Sequence, residues 1–407
     1  MTERVALLGS TGSVGLNTLE VVRRHPGRFR VMALTARSST ARMLEQCLEF
    51  CPEQVVMVDT EAALALRTML AEHDSDIEVL SGGESLERVV RDADCVVCAI
   101  VGAVGLASTM AAVRAGAKVL IANKEPLVML GPAIMRLARR HGAVILPLDS
   151  EHNAIFQCLP SAMQQVLGES GMDGRYGIRR LLLTGSGGPF RQRDPATLAS
   201  VTPDEACAHP NWDMGRKISV DSATMMNKGL ELIEACSLFS MDESSIEIVV
   251  HPQSVVHSMV EFVDGSVLAQ MANPDMKVPI ANALAWPDRI ESGAAWLDLP
   301  DCARFDFESP DHARFPSLGL AREVARTGGT APAMLNAANE VAVDAFLAGE
   351  IGFDRITELV AGTLDQLPVE NTLELETVLE ADRAARASCT LRIREIRPVP
   401  VADTGPE

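Results

Sequence analysis

The segment RVALLGSTGSVG, residues 4–15, decides the fold. An apolar run of strand length leads directly into Gly9, Gly12 and Gly15, and a helical pattern follows. Glycines at this place let the backbone approach a pyrophosphate closely, and the N-terminus of the next helix favours the anion. The spacing G-x-x-G-x-x-G varies the usual fingerprint, and its position in a first strand–helix unit predicts a dinucleotide site.

Six more apolar runs extend this unit into a sheet. Helical stretches of ordinary length separate the runs, and such alternation indicates a parallel, doubly wound sheet. We therefore predict an α/β fold that begins with a Rossmann-like domain over residues 1–149. The six runs, in chain order, are RVMALTA, QVVMV, IEVL, CVVCAI, KVLIA and AVILPL.

The pattern changes after residue 150. A strand-like run, IRRLLLT, precedes a segment rich in Gly and Pro, a helix to about residue 239 and three further β-like runs. We predict a second, catalytic α/β domain over residues 150–290, with a mixed or antiparallel sheet and a lid loop at 186–216. Residues 291–316 are predicted as a linker, 317–392 as a C-terminal helical bundle and 393–407 as a loose tail.

Composition excludes two classes of partner. The chain has 407 residues, of which 47% are hydrophobic, and its net charge of −19 comes without a basic run to bind nucleic acid. It has no apolar stretch of membrane-spanning length, and its start, MTERVALLGS, lacks the regions of a signal peptide. We interpret its nine cysteines as reduced thiols and expect a cytoplasmic protein with no membrane partner.

One pair of cysteines, Cys95 and Cys98, forms a C-x-x-C motif inside an apolar run of strand pattern. Residues three apart on a strand face opposite sides of the sheet, so packing in the core is favoured over a shared zinc ion.

The end of the second predicted strand indicates which dinucleotide is bound. An NAD site usually carries Asp or Glu there, whereas this chain reads ALTARSS. Arg37, Ser38 and Ser39 offer a cation and hydroxyls that suit a 2′-phosphate, which favours NADPH. The alternative is that Ser39 only caps the following helix, and the two roles are compatible.

Two carboxylates follow the strand AVILPL, in the stretch DSEHNAIF. Asp149 and Glu151 flank Ser150 at the carboxyl end of a strand, where α/β sheets bind ligands. Neighbouring carboxylates repel each other unless a positive group lies between them, which favours a cation. The alternative is that Asp149 or Ser150 is the N-cap of the next helix.

The stretch GRKISVDSATMMNKGLELIEA, residues 215–235, supplies a third carboxylate. In a helix, Asn227 and Lys228 lie one turn from Glu231 on one face. Glu234 is a further three residues on. A third carboxylate from this helix, together with Asp149 and Glu151, would complete an all-oxygen site, which suits Mg²⁺ or Mn²⁺ better than zinc. The alternative is an ordinary surface helix with paired Glu and Lys side chains.

The same stretch carries groups that bind phosphate. Ser222, Asn227 and Lys228 are such groups, and Ser186 in the glycine-rich run TGSGGPF is another. Residues 186–216 also contain His209 and Trp212, and a large aromatic side chain on such a loop can cover a small substrate. The alternative is that Trp212 packs permanently in the core.

Together these segments closely resemble the 1-deoxy-D-xylulose 5-phosphate reductoisomerase family. The resemblance covers nearly the whole chain in order, and its long central block is highly specific. The motifs that carry it are GSTGSVG, ANKE, DSEHNAIFQ, LTGSGGPF, HPNWDMGRKISVDSATMMNKGLELIEA, HPQSVVHSMVEF and NAANE.

The resemblance implies a set of site residues. The implied NADPH site comprises Thr11, Gly12, Ser13, Val14, Arg37, Ser38, Ser39, Asn123, Glu125 and Gly215. The implied metal ligands are Asp149, Glu151 and Glu231. The implied sugar-phosphate site comprises Lys124, Ser150, Glu151, Ser186, His209, Ser222, Asn227, Lys228 and Glu231. To this site the loop pattern adds Trp212 as a predicted cover. Of these, the predicted catalytic residues are Lys124, Glu151, His209 and Glu231.

The resemblance also implies the reaction. A divalent cation polarises the carbonyl of the ketose phosphate, the carbon skeleton rearranges, and NADPH reduces the resulting aldehyde to 2-C-methyl-D-erythritol 4-phosphate. This is a step of the non-mevalonate route to isoprenoid precursors, and the family implies a homodimer. Family members often have a Gly-Lys-Asn-like triplet where this chain has Arg37, Ser38 and Ser39, so the side chain that binds the 2′-phosphate stays open.

Two rival interpretations remain. A semialdehyde-dehydrogenase-like enzyme also joins a glycine-rich loop to a second α/β domain, and it needs a catalytic thiol, for which Cys158 and Cys207 are the candidates. A redox-sensing protein that binds NADP without turnover would have no use for three gathered carboxylates.

Overall fold

The structure is a computed structural model that describes residues 2–169, 172–209, 212 and 215–396. Residues 397–407, most of the predicted tail, lie outside this part of the chain. By its internal contacts the chain divides into a first unit, Met1–Ser186 with Glu234–Ser309, and a second unit, Gly187–Ile233 with Pro310–Glu407. The predicted domain boundaries differ from this division and stay a prediction.

A seven-stranded parallel sheet forms the larger part of the first unit, with strand order β4-β3-β2-β1-β5-β6-β7. The central strands are buried on both faces, which is why their sequences read as continuous apolar runs rather than alternating ones. Each strand falls on one of the seven apolar runs, so the predicted doubly wound sheet is confirmed. The strands are β1 (Glu3–Leu8), β2 (Phe29–Ala36), β3 (Gln54–Met57), β4 (Glu78–Ser81), β5 (Cys95–Cys98), β6 (Lys118–Ile121) and β7 (Val144–Pro147).

Helices connect these strands. The order of the strands reverses between β1 and β5, and ligands of such sheets bind at the carboxyl ends of the strands beside that reversal. The helices up to the end of the sheet are α1 (Ser13–Arg24), α2 (Thr40–Phe50), α3 (Thr60–Ala71), α4 (Glu84–Arg88), α5 (Leu106–Arg114) and α6 (Glu125–His141).

A smaller mixed sheet completes the first unit, with order β11-β10-β8-β9. Strand β10 is antiparallel to β8 and β11, whereas β8 and β9 are parallel. Helix α7 packs against β10 and β11. The strands are β8 (Ile178–Gly185), β9 (Ile246–Val250), β10 (Val256–Phe262) and β11 (Val267–Met271), and the helices between β7 and β8 are α7 (Ser150–Cys158), α8 (Ser161–Gln164) and α9 (Met172–Tyr176).

The remaining helices include the C-terminal bundle of the second unit. In this bundle α16 packs against both α17 and α18, as the helical pattern predicts. Helix α12 begins in the second unit and ends in the first. The helices are α10 (Pro203–Cys207), α11 (Arg216–Ala223), α12 (Met226–Phe239), α13 (Lys277–Ala285), α14 (Leu299–Cys302), α15 (Pro316–Thr327), α16 (Ala331–Leu347), α17 (Arg355–Gln366) and α18 (Leu375–Ile396).

The segment 186–216 differs from the expectation that its glycines and prolines prevent regular structure. It contains a 3₁₀ helix, Pro195–Ser200, and helix α10. A capping box begins α10, in which Thr202 and Glu205 satisfy each other's backbone N–H groups, and a proline stands in the first turn, where it costs no hydrogen bond. Pro210 and Met214 of the predicted lid loop lie outside the described residues.

Candidate active site

The glycine-rich loop after β1 has the geometry of an anion-binding turn. Gly9 has a φ of +88°, and a Cβ at this position would lie 2.7 Å from the Ala99 carbonyl oxygen. A Cβ on Gly15 would lie 2.4 Å from the Gly9 carbonyl oxygen, so the first turn of α1 packs directly on the loop. Gly12 is the N-cap of α1 and provides no side-chain cap, which leaves the first N–H groups of α1 for an anion.

Hydrogen bonds hold this loop against β2 and α2. The Gly9 N–H donates to Thr35 Oγ1 at 2.9 Å, and the Ser10 hydroxyl donates to Gln46 Oε1 at 2.7 Å. The Gln46 side-chain amide donates back to the Ser10 carbonyl oxygen at 3.0 Å. The loop is therefore ordered before any ligand binds, which lowers the entropy cost of binding.

Arg37, Ser38 and Ser39 follow β2, the strand next to β1, and all three are exposed. Ser39 is the N-cap residue of α2, but its hydroxyl makes no capping hydrogen bond. The capping alternative therefore holds for its position and not for its side chain.

The ends of β6 and β7 carry the next group of predicted residues. Lys124 Nζ lies 2.7 Å from Asp149 Oδ2, and both side chains are mostly buried. The Asn123 amide donates to the Gly102 carbonyl oxygen at 3.2 Å, and its own Oδ1 accepts from the Glu125 N–H at 3.3 Å. The structure thus brings Asn123, Lys124, Glu125 and Asp149 to the carboxyl edge of one sheet.

Asp149 is the N-cap of α7 by position, but its carboxylate makes no capping bond and pairs with Lys124 instead. Ser150 begins the helix and donates its hydroxyl to the Glu151 carboxylate. Two acidic side chains are thus held next to each other at the edge of the sheet, where an ammonium group partly compensates their charge.

Two residues that the sequence reasoning did not assign lie beside Asp149. His152 is fully buried, with Nδ1 at 4.0 Å from Asp149 Oδ2 and 3.7 Å from Glu234 Oε2. Each of the three offers a ligand atom, and these atoms lie within 4.8 Å of one another. The signal was present in the sequence, since His152 follows Asp149 by three residues and therefore shares its side of the helix.

A second unassigned histidine, His257, lies on β10 and is buried. Burial lowers the pKa of His257 below its usual value, and the charge of Glu151 opposes this shift. The motif HPQSVVHSMVEF pointed to this strand, but nothing in its pattern indicated that His257 and Glu151 interact.

In the second unit, Glu231 has two donors from its own helix. The Asn227 amide and the Lys228 ammonium each donate to one of its carboxylate oxygens. Glu231 is 1% exposed and Lys228 is 4% exposed, so these charges are removed from water. The surface-helix alternative is therefore wrong, because the face that carries these residues is buried.

The segment before α11 links two more predicted residues. The backbone N–H of Trp212 donates to His209 Nδ1 at 3.0 Å. Because Nδ1 accepts, a neutral His209 carries its proton on Nε2 and presents a donor there. Trp212 is half-buried, as is Ser222 at the end of α11.

The two candidate thiols differ in their burial. Cys158 is buried, and burial raises the pKa of its thiol to about 11. Cys207 is half-buried and donates to the Arg216 carbonyl oxygen. Cys95 and Cys98 are both buried in β5, as core packing predicts, and burial raises the pKa of Cys98 to about 12.

Comparison with known proteins identifies what this arrangement is similar to. Family models match three parts of the chain: "1-deoxy-D-xylulose 5-phosphate reductoisomerase" over residues 5–131, the "1-deoxy-D-xylulose 5-phosphate reductoisomerase C-terminal domain" over 145–239 and the "DXP reductoisomerase C-terminal domain" over 271–388. The 1-deoxy-D-xylulose 5-phosphate reductoisomerase of Pseudomonas putida (strain W619) is 56% identical over 386 residues, which are 94% of this chain and 96% of that protein.

Solved structures agree with the sequence matches. A DOX-P reductoisomerase in complex with magnesium superimposes with a TM-score of 0.92 at 44% identity, over 98% of this chain and 100% of that one. A DOX-P reductoisomerase in complex with NADPH, fosmidomycin and magnesium gives a TM-score of 0.90 at 46% identity, over 96% of this chain and 98% of that one. Among the described residues, no helix is both long and apolar enough to cross a lipid bilayer.

Proposed function

The chain belongs to the 1-deoxy-D-xylulose 5-phosphate reductoisomerase family, and from this premise we propose how its own residues divide the work of the reaction. It is an oxidoreductase that uses NADPH and a divalent cation to convert 1-deoxy-D-xylulose 5-phosphate into 2-C-methyl-D-erythritol 4-phosphate, toward isoprenoids. The observation that carries the proposal is the shared carboxyl edge of the large sheet. The glycine-rich loop, the Asn123–Glu125 turn and Asp149 follow β1, β6 and β7 at this edge.

NADPH is bound at the end of β1. The backbone of Thr11, Gly12, Ser13 and Val14 receives the pyrophosphate, supported by the unfilled N-terminus of α1. Exposed Arg37, Ser38 and Ser39 at the end of the neighbouring strand receive the 2′-phosphate. Asn123, Glu125 and Gly215 complete the cofactor site.

Asp149, Glu151 and Glu231 are the ligands of the cation. They form an all-oxygen donor set, which fits Mg²⁺, and Mn²⁺ is the second metal that such a set accepts. The mostly buried pair of Asp149 with Lys124 supports the proposal, because this carboxylate is held in place and partly neutralised. Glu231 and Glu234 are three residues apart, so their carboxylates lie on one side of α12.

The sugar phosphate is bound by hydroxyl, amide and ammonium donors. Lys228 and Asn227 already donate to Glu231, and each retains further N–H groups for a phosphate oxygen. Ser222 and Ser186 add hydroxyls, and Ser150 and Glu151 bind the substrate's oxygens beside Lys124.

When bound, the cation polarises the substrate carbonyl and NADPH supplies the hydride. The chain's own part is to position the substrate and to exclude water. Lys124 holds its ammonium group at Asp149 and thus keeps a proton donor beside the substrate oxygens. His209 presents Nε2–H as a second donor, because its Nδ1 accepts a hydrogen bond from the backbone N–H of Trp212. Trp212 and the rest of 186–216 cover the substrate.

Three further properties complete the proposal: function with Mn²⁺ as well as Mg²⁺, a location in the cytoplasm, and a homodimer. The homodimer is supported by β11, an edge strand of the small sheet in which Val267 and Leu268 are about half exposed. Exposed apolar edge strands tend to pair with another chain.

The test is the consumption of NADPH with 1-deoxy-D-xylulose 5-phosphate, with Mg²⁺, with Mn²⁺ and with a chelator. We expect turnover with either metal and none with the chelator. An Asp149→Asn variant should need more metal for half-maximal rate, and an Asp288→Asn variant, which removes the carboxylate of an exposed ion pair with Arg28, serves as its control. Turnover that is unaffected by chelation would contradict the proposal.

A further inference from the structure

The motif NAANE, residues 336–340, has no role in the proposed function. Its residues belong to helix α16 of the C-terminal bundle. Asn336 and Asn339 are both fully buried, which is costly for an amide unless the side chain serves a partner. The two amides have different partners, and this difference carries the inference.

Asn339 reaches the helix that carries Ser222. Its side-chain amide donates to Asp221 Oδ1 at 2.7 Å, and Lys217 Nζ lies 2.8 Å from the other oxygen of the same carboxylate. Asp221 is 1% exposed and lies in α11, one residue before Ser222. A buried carboxylate with two donors is held firmly in place, so α11 is fixed in its rotation and its position along its axis.

The junction between α11 and α12 is held by the same bundle. Met225 has a φ of +62°, an unfavourable conformation for a side chain of this kind that persists only where its surroundings impose it. The Ser317 hydroxyl of α15 donates to the Thr224 carbonyl oxygen immediately before it. At Gly229 a Cβ would lie 2.7 Å from the Ala321 Cβ, so α15 and α12 are in close contact one residue after Lys228.

From these contacts we infer that Asn339, acting through Asp221, is a positioning residue for the phosphate subsite of the substrate. It sets where Ser222 stands relative to Asn227 and Lys228 on the other side of the Met225 turn. The inference rests on the proposed function in one respect, the assignment of these three side chains to the phosphate. Asn339 does not touch the substrate, and it acts by the placement of α11.

The chain offers a matched control one turn earlier in the same helix. Asn336 is also an asparagine and also fully buried, but its amide donates to Glu340 Oε1 at 3.1 Å, and Glu340 pairs with Arg386 of α18. Asn336→Ala and Asn339→Ala therefore remove the same group from the same helix at equal burial. Only the second change releases α11.

The experiment measures kcat and KM for 1-deoxy-D-xylulose 5-phosphate, the Kd of NADPH and the melting temperature for both variants. For Asn339→Ala we expect KM to rise about tenfold or more, the loss typical of a broken hydrogen bond to a buried charge, with the Kd of NADPH unchanged. Asn336→Ala should lower the melting temperature about as much as Asn339→Ala does, but it should leave KM within about twofold of the wild-type value.

An exchange of the side chains of Asn339 and Asp221, which keeps the net charge, distinguishes a positioning role from a loss of folding. Asn339→Asp places a carboxylate against Asp221 and should raise KM further, whereas the double variant Asp221→Asn/Asn339→Asp restores a donor and an acceptor and should recover KM to within about threefold of the wild-type value. Recovery of the melting temperature without recovery of KM would overturn the inference.

A Ser222→Ala variant, measured in parallel, tests the phosphate assignment separately from the role of Asn339. If Ser222→Ala raises KM and Asn339→Ala behaves like Asn336→Ala, the inference is wrong and the phosphate assignment stands. If Ser222→Ala leaves KM unchanged, the phosphate assignment is wrong and the inference falls with it.

Discussion

At the scale of single residues, Glu231 is the strongest test of the cation site. Its carboxylate is buried and accepts from Asn227 and Lys228. Glu231→Gln keeps the shape and removes one negative charge, so we expect activity to fall at least ~100-fold, as for loss of a transition-state electrostatic contact. NADPH should still bind, and excess Mn²⁺ should recover part of the rate if weaker metal binding is the cause.

The control for Glu231→Gln is Glu358→Gln. Glu358 pairs with Arg355 at the i,i+3 spacing of Lys228 and Glu231, but on the exposed surface of α17. Because exposed ion pairs contribute little to stability, the control should leave both the melting temperature and turnover nearly unchanged. If Glu231→Gln has wild-type activity and an unchanged metal requirement, Glu231 only pairs with Lys228 and is no ligand.

Arg37 and Ser38 carry the second prediction at this scale. They stand exposed at the end of β2, where an NAD enzyme has a carboxylate for the ribose hydroxyls. We expect NADPH to be strongly preferred over NADH, and the Arg37→Ala/Ser38→Ala variant to lose most of that preference through a weaker Kd for NADPH. Comparable catalytic efficiency with NADH in the wild type, or an unchanged preference in the variant, would contradict this assignment.

At the scale of elements, the segment 186–216 is predicted to close over the substrate. Its beginning is anchored in the second unit, where Phe190 packs edge-on against Phe353 with the ring centroids 5.1 Å apart. Arg314 also donates to the Phe190 carbonyl oxygen. Closure therefore concerns the later part of the segment, around His209 and Trp212. Iodide quenching of Trp212 should fall, and proteolysis of the segment should slow, when NADP⁺ and 1-deoxy-D-xylulose 5-phosphate bind together.

The measurement needs Trp212 as the only tryptophan. The other two are Trp286, which donates to Gln164, and Trp296, which is 95% exposed and would dominate the quenching. A Trp286→Phe/Trp296→Phe background removes both. Quenching and cleavage that do not respond to the two ligands together would show that Trp212 packs permanently.

How far the elements follow from sequence depends on where their determinants lie. The seven strands of the large sheet are predictable because each is a local apolar run between turn residues. The start of α10 also has a local signal, because Thr202 and Glu205 have the spacing of a capping box. The nearby prolines, however, favour a loop in the same segment. The break at Met225 had no local signal, because the group that holds Thr224 is Ser317, far along the chain.

The candidate site shows the same division. Gly9, Gly12, Asp149 and Glu151 stand at strand ends that the pattern locates, so their roles could be proposed from sequence. His152 and Glu234 meet only because α7 and α12 pack together, as the stacking of His152 on Phe239 at 6.3 Å shows. No pattern within either helix indicates that contact.

At the scale of the whole molecule, we propose that the edge of the small sheet is the interface of the homodimer. Strand β11 has β10 as its neighbour on one side, and its other side is an edge in the described sheet. Val263, just after β10, is 73% exposed, and Leu268 on β11 is 50% exposed. A charged residue on an edge strand opposes pairing with another chain, and this edge presents apolar residues.

We therefore expect the wild-type protein to sediment as a dimer and Leu268→Lys to shift it toward the monomer, because a lysine in the interface would lose its hydration without a partner. The matched control is Leu64→Lys, which changes the same residue type at 58% exposure on helix α3 and should leave the mass unchanged. Sedimentation velocity over a range of protein concentrations gives the mass of each form. A monomeric wild-type protein would refute the homodimer. A Leu268→Lys variant that remains fully dimeric would exclude this edge as its interface, because a buried, unpaired ammonium group costs several kcal/mol in each subunit.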